Sequence, residues 1–318
     1  MSAYNKIYPY LRNPHKIIER SALKKLLLKK DSMDKIEYIK AKFKIDLGYE
    51  LNLDHPKTFN EKMQWLKFFH QKKNLSTMAD KHLAKKYVSD IIGENHIAKE
   101  LGFWENFDDI DFNKLPNKFV LKTNHGCGSM YVCKDKSKIS DFSFLKEQFE
   151  KSLKSSYYDN YYEYPYRDIK PLIIAEEFLS DGINNVLPVF KFFCFNGVPA
   201  IAQIIQNDKQ DNETIDYIDM DYNFLKISQG YPNSRKKKRL PKPALFDEMK
   251  QLASKLSKDF PFIRVDLYDC GEKVVFSEFT FFSDAGFARF YSKKWDRILG
   301  EKIRLPNKKI IEGIEYND

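Results

Sequence analysis

The hydrophobic period of this chain changes near Phe119, and that change constrains its fold more than any other feature. Upstream, apolar residues recur at helical spacing. Downstream, short runs rich in Val, Ile and Phe are bounded by Gly, Pro, Asn and Asp. A helix buries a stripe every three to four residues and a strand buries every second one, so the two patterns are distinguishable without a structure. The runs at 119–122, 130–134, 172–178, 190–195, 198–206, 262–268 and 273–281 read as strands, with an amphipathic helix over 246–258 among them. A helical front and a strand-rich back with inserted helices make an α+β fold.

Within the front, Lys16–Lys30 can gather its leucines and isoleucines on one face and its lysines on the other. Such a helix packs on the body of the protein or lies on an anionic membrane surface. Thr58 and Glu61 stand at capping-box spacing ahead of a helix running to Lys67. Another helix is expected from Met78 to Ile92, ended by Gly93. The tyrosine-dense insert Tyr157–Tyr166 reads as aromatic packing under a loop, with a lid or sugar-stacking surface as the alternative.

A chain of 318 residues with 42% apolar side chains can form two or three packed lobes. The net charge of +9 is spread over many lysines. It suits an anionic small ligand and is too diffuse for nucleic acid. The run Arg235–Arg239, flanked by prolines, reads as a solvated loop. Four cysteines without a C-x-x-C pair imply reduced thiols, and six histidines at no zinc-ligand spacing argue against a zinc site. The N-terminus lacks a signal-peptide core, and no apolar run approaches the ~18 residues of a membrane span. A soluble, cytoplasmic protein is expected.

Three stretches could carry chemistry. In FVLKTNHGCGSMYVC (119–133) a glycine loop lies between two strand-like runs. Walker A and Rossmann loops both lead into a helix, so neither fits. A flap laying backbone N–H groups over a triphosphate does fit, with Lys122 supplying charge, and a plain hairpin with a snorkelling lysine fits equally well. Ile173–Leu179 is an apolar run interrupted by Glu176 and Glu177. It reads as a nucleotide-reading hinge or as an edge strand with solvated acids. In FIRVDLY (262–268) and VVFSEFT (274–280), Asp266 and Glu278 project from apolar strands, with Arg264 on the face of Asp266. Buried carboxylates require a cation, supplied either by a hard ion such as Mg²⁺ or by the arginine.

The order of lysine strand, glycine flap, E-E strand, R-x-D strand and Glu-bearing strand resembles the ATP-grasp superfamily. In particular the chain is similar to its TupA-like members, found in bacterial surface-polysaccharide gene clusters. HPKTFNEKMQWLK, KLPNKFVLKTNHGCGS, IKPLIIAEEFL, KFFCFNG, GYPNS and LSKDFPFIRVDLY carry the likeness, from about Leu51 to Trp295. It implies an ATP-grasp fold, two α+β subdomains clamping ATP behind a helical N-terminal region. The divisions would fall at 1–105, 106–180 and 181–318. It further implies that Lys122, His125, Gly126, Gly128 and Ser129 hold phosphates. Glu176, Glu177, Phe178 and Leu179 would form the adenine hinge, and Lys191 would face ATP. Asp266, Glu278 and Thr280 would bind Mg²⁺, with Arg264 steadying an acyl-phosphate and Lys122 also acting in catalysis. Three positions depart from the general pattern: Thr280 where an Asn is usual, Phe282–Gly286 in place of a glycine-rich segment, and Val189 in place of an acid.

The implied activity is that of an ATP-dependent carboxylate–amine ligase working through an acyl-phosphate. Its substrates would be a carboxylate-bearing sugar or glycan precursor and an amine, in capsule, exopolysaccharide or O-antigen synthesis at the inner face of the membrane. The competing readings are a glycosyltransferase, through the D-x-D-like Asp219-Met-Asp221, and a small-molecule or sugar kinase. Asp219–Asp221 also reads as a polar turn after a strand, and no H-R-D-x-x-x-x-N segment exists for a protein-kinase site.

Overall fold

The computed structural model describes residues 14–126, 129–139, 141–183, 186–208 and 210–316. The front is helical, with helices Pro14–Leu27, Lys35–Leu47, Phe59–Phe69, Leu75–Ala79 and Leu83–Ile92. The capping box forms as expected: Thr58 Oγ1 accepts from Glu61 N while Glu61 Oε2 accepts from Thr58 N. The single helix expected over 78–92 is instead two, broken at Asp80–His82. Asp80 Oδ1 accepts from His82 N at 2.8 Å and Leu83 N at 3.3 Å, so an aspartate within the helical pattern caps a new start.

Four strands, β1 (Glu100–Trp104), β2 (Phe119–Thr123), β3 (Met130–Cys133) and β4 (Ile173–Glu177), form an antiparallel sheet in the order β1-β4-β2-β3. This sheet begins ahead of the boundary expected at residue 105, because β1 pairs along β4. Phe119 and Leu121 bury one face against Leu145 and Phe149 of helix Ser143–Leu153. Val120 and Lys122 alternate with them, so they point to the opposite face.

Six further strands form the second antiparallel sheet: β5 (Val189–Phe195), β6 (Val198–Gln206), β7 (Thr214–Asp219), β8 (Phe224–Leu225), β9 (Phe262–Asp269) and β10 (Val274–Thr280). Their order is β10-β9-β5-β6-β7-β8. Helix Phe246–Ser257 covers one face, where the Phe246 ring meets Phe190 and Phe192. On the other face Phe193 and Phe262 pack on Phe59 of the capped helix. A sheet covered on both faces explains why β5 reads as an almost unbroken apolar run. Lys191 is the exception in that run.

The tyrosine insert forms a short helix, Tyr157–Tyr161, and the 3-10 turn Tyr164–Tyr166. Tyr162 and Tyr164 are buried, and Lys30 and Lys35 lie over the rings of Tyr162 and Tyr158 at 5.2 and 5.4 Å. The insert is therefore packed aromatic structure fastened to the helical front. Arg235–Arg239 is exposed, although Arg239 stacks on Phe224 at 4.3 Å. A hairpin of β11 (Lys309–Ile311) and β12 (Ile314–Tyr316) closes the described chain, beyond the strands legible in the sequence.

Candidate functional site

Antiparallel registry lines up one polar row across the larger sheet. Glu278 is opposite Asp266, Asp266 opposite Lys191, Lys191 opposite Gln203, and Gln203 opposite Tyr217. Directly opposed residues point to the same face, so these five side chains share it, on the side of the sheet away from helix Phe246–Ser257. Arg264 and Thr280 are opposed in the next position along. The smaller sheet contributes Lys122, whose ammonium lies 2.6 Å from Glu176 Oε2 on β4.

Every acid in this group is held by cations. Asp266 is 1% exposed; Arg264 grips it with Nε at 2.7 Å and Nη2 at 2.8 Å, and Lys191 Nζ stands at 3.1 Å. Burial opposes the charge of Arg264, and Asp266 outweighs it, leaving the guanidinium pKa raised. Glu176 sits between Lys122 and Lys85, the latter 2.7 Å from Oε1. Burial works to raise the Glu176 pKa, but the two lysines overcome it and hold the carboxyl below its usual range. Glu278 is likewise opposed by burial and held down to about 2 by Lys81, Lys191, Arg264 and Lys122.

Two of these cations escaped the sequence reading. Lys81 occupies the break between helices and donates to Gly126 O at 2.6 Å while standing 3.4 Å from Glu278 Oε2. It thus ties the glycine loop to the far sheet. Lys85, one helical turn later, donates to Ala98 O and pairs with Glu176. Within a lysine-rich helical stretch the only sign of either role was Asp80, which breaks the helix.

Between the sheets lies a cavity of about 800 Å³. Val120, Met130 and Val132 give it an apolar wall, and Lys122, Glu176, Glu177, Phe178 and Leu179 line it too. Across from them stand Val189 and Tyr268 of the larger sheet. An apolar wall with a few convergent polar groups suits a flat ring carrying an anionic chain. Glu177 is anchored at its rim, accepting from Lys99 N at 3.0 Å.

The glycine loop is arranged differently from the expectation. His125 is buried, with Nδ1 3.1 Å from Asn124 Oδ1 and Nε2 3.1 Å from Ser152 O. Ser129 Oγ donates to Ser152 Oγ. Neither residue lines the cavity, and nor does Gly126; Ser129 and His125 Nε2 bond to Ser152 at the end of helix Ser143–Leu153, and His125 Nδ1 to Asn124. Gly128 falls outside the described residues. Asp219 accepts from Asp221 N, Asn223 N and Asn223 Nδ2, so the D-x-D-like pair is a self-capped turn.

Among the described residues no group of three or more His, Cys, Asp or Glu could hold a metal ion. Opposed Asp266 and Glu278 offer hard oxygen ligands of the kind Mg²⁺ accepts when phosphates and water complete its shell. The donor set therefore fits Mg²⁺ and does not amount to an all-protein metal cage.

The sequence matches the profile of the family described as TupA-like ATPgrasp over residues 61–304. The chain matches no curated protein. Among solved structures it is similar to D-alanine–D-alanine ligase from Bacillus anthracis complexed with ATP, with 14% identity, 92% of each chain covered and a TM-score of 0.45. It is also similar to the ATP-grasp ligase PsnB complexed with a phosphomimetic variant of its minimal precursor, Mg and ADP. That match has 11% identity, 65% of this chain, 51% of the other and a TM-score of 0.38, so the chain spans about half the length of PsnB. For D-alanine–D-alanine ligase from Helicobacter pylori the figures are 16%, 71%, 61% and 0.36.

Proposed function

Because this chain belongs to the TupA-like ATP-grasp family, whose profile spans most of it, we propose that it is an ATP-dependent carboxylate–amine ligase. The observation that carries the reading is the cavity between the two sheets, where Lys122 and Glu176 face Val189 and Tyr268. The cation-held row of Lys191, Asp266 and Glu278 lies on the same face of the larger sheet as those two residues. In this reading the adenine lies on the wall of Val120, Met130 and Val132, with the backbone of Glu176–Leu179 at its edge and Glu177 toward the ribose. Lys122, Lys191 and Lys81 neutralise the phosphate chain. Asp266 and Glu278, with Thr280 beyond them, would hold Mg²⁺, which lowers the charge on the phosphate oxygens when bound.

The substrate carboxylate attacks the γ-phosphorus, giving an acyl-phosphate and ADP; an amine then displaces phosphate and an amide forms. Such a reaction needs orientation and charge neutralisation, and no protein nucleophile. Arg264 serves it well, because its bidentate bond to Asp266 fixes the guanidinium before any substrate arrives. The carboxylate partner we propose is a sugar acid of a surface-polysaccharide precursor. Helix Pro14–Leu27 leaves Leu27 and Leu28 exposed beside Lys24 and Lys25, which supports work at an anionic membrane surface. The three divisions at 1–105, 106–180 and 181–318 would act as helical N-terminal region, nucleotide flap and metal-bearing subdomain, with β1 of the first joined to the flap sheet.

The reaction is tested by measuring ADP and phosphate from ATP and Mg²⁺ with pooled uronic acids and amines. Release that requires both an acid and an amine is expected. Turnover of a sugar nucleotide without ATP would refute the ligase.

A further inference from the structure

The turn after β10 carries an acid that phosphate binding leaves unused. In Ser283–Gly286 both Asp284 and Ala285 have left-handed backbones, with φ of 50° and 52°. Side-chain-bearing residues hold that conformation at about 1–2 kcal/mol each, and only where their surroundings impose it. Here the capped helix imposes it. Gln64 Nε2 donates to Ala285 O at 3.1 Å and Gly286 O at 2.8 Å, and Lys67 Nζ donates to Ala285 O at 2.7 Å. Asn60 exchanges two hydrogen bonds with the backbone of Ala288. Asn60, Gln64 and Lys67 share one helical stripe, so a single face grips the segment. The grip is on backbone atoms, and the Asp284 side chain stays open to solvent.

Asp284 nonetheless stands within electrostatic reach of buried groups. Surrounding protein raises its pKa, partly offset by Arg264 and Lys191, and its charge is felt by Tyr217 and Glu163. An exposed acid whose charge reaches buried Tyr217, Glu163 and Arg264 stands at the edge of the polar face of the larger sheet. Tyr217 belongs to the polar row, bonded to Gln203 and Gln229, and Gln229 Nε2 has no partner of its own among the described residues.

Glu163, from the tyrosine insert, supplies an independent observation. It is 2% exposed, and its Oε1 lacks any hydrogen-bond partner among the described residues. Burial raises its pKa to about 7, against the pull of Lys67 and Arg264. Lys67 is committed to Ala285 O and to the rings of Phe282 and Phe287, and Arg264 to Asp266. A buried acceptor without a donor costs about 1–3 kcal/mol. A ligand bringing N–H groups removes that cost.

We propose that Asp284 and Glu163 form the acceptor subsite of the ligation and take the amine as an ammonium group. The inference rests on the ligase reading and assigns its second substrate a charge and a place. Two carboxylates repel an anionic acceptor, whereas an ammonium offers three donors. Asp284 removes one of its protons, freeing the nitrogen lone pair. The nitrogen attacks the acyl carbon, the C–N bond forms and the C–O bond to phosphate breaks. The second proton leaves with the phosphate, and the third stays on the amide. Arg264, within electrostatic reach of Asp284, faces the negative charge that develops on the acyl oxygen.

The test is ligand-observed saturation-transfer NMR on the full chain with Mg²⁺ and a non-hydrolysable ATP analogue. Ethanolamine is the probe and ethylene glycol its uncharged match. Ethanolamine should bind and ethylene glycol should not, and Asp284→Asn and Glu163→Gln should each weaken ethanolamine at least tenfold. Asparagine tolerates the left-handed backbone, so Asp284→Asn should melt with the wild type. Equal ethanolamine affinity in wild type and Asp284→Asn, or no binding to either, overturns the subsite. A fluorescent ATP analogue titrated in parallel separates the two failures. If it binds while ethanolamine ignores both substitutions, the subsite alone falls; if it does not bind wild type, the ligase reading falls.

Discussion

Glu176 shows how much one side chain can carry in this protein. It sits on β4 between Lys122 at 2.6 Å and Lys85 at 2.7 Å, and so joins the helical front to the strand bearing the flap lysine. Its folded pKa is depressed, so the ionised form stabilises the fold. That contribution is present in full above the unfolded glutamate pKa of about 4.3 and is lost as pH falls through the folded value. Glu176→Gln should therefore cost about 3–5 kcal/mol at pH 7 in ligand-free protein, the range for breaking one side of a buried pair. The difference from wild type should shrink below pH 4, read by urea denaturation at each pH. A constant difference across that range would show the pair contributes no ionic stabilisation. At this scale the sequence was informative where a charge interrupts an apolar strand, as Lys122, Lys191, Arg264, Asp266 and Glu278 all do. It was uninformative at Lys81 and Lys85, because a lysine on a helix looks the same whether it meets solvent or a glutamate. His125 misled for the opposite reason: a histidine beside a glycine loop suggests a ligand, and here both ring nitrogens face protein oxygens.

Helix Phe59–Phe69 is the element on which the site's geometry depends. Its start is fixed by the Thr58–Glu61 box, both legible from spacing. Its polar stripe of Asn60, Gln64 and Lys67 was not legible as a clamp, since the turn it holds lies more than 200 positions away in sequence. A second long-range contact completes it. Helix Lys293–Lys302 crosses the start of Phe59–Phe69 at Gly300, where an added Cβ would lie 2.3 Å from Lys57 O and 2.6 Å from Phe59 N. Lys62 Nζ also reaches Gly300 O and Ile303 O there. Gly300→Ala must force the helices apart and should cost about 3 kcal/mol, at the upper end of ordinary overpacking. Chemical denaturation measures this directly. A variant as stable as wild type would mean the two helices can separate freely, and the clamp on Asp284 would then need another support.

The whole molecule presents two antiparallel sheets with their charged faces toward one cleft, behind a helical front that reaches into it. The seven strand runs read from the sequence end within a residue of the observed strands, because alternation and β-branched composition are local properties, whereas β1, β8, β11 and β12 were not read. Sheet order was not, since β5 lies between β6 and β9 through contacts distant in sequence. The α+β plan followed from the change of hydrophobic period and the family from the order of motifs, whereas the anchoring of the tyrosine insert and the origin of Lys81 followed only from packing. The central claim, that the cleft between the sheets binds ATP, is tested most directly by titrating a fluorescent ATP analogue with Mg²⁺ into wild type and Lys122→Ala. The predicted result is saturable binding by wild type and affinity at least tenfold weaker in Lys122→Ala, whose fold Lys85 should preserve by continuing to pair with Glu176. Absence of binding to wild type, or equal binding by the two proteins, would contradict it.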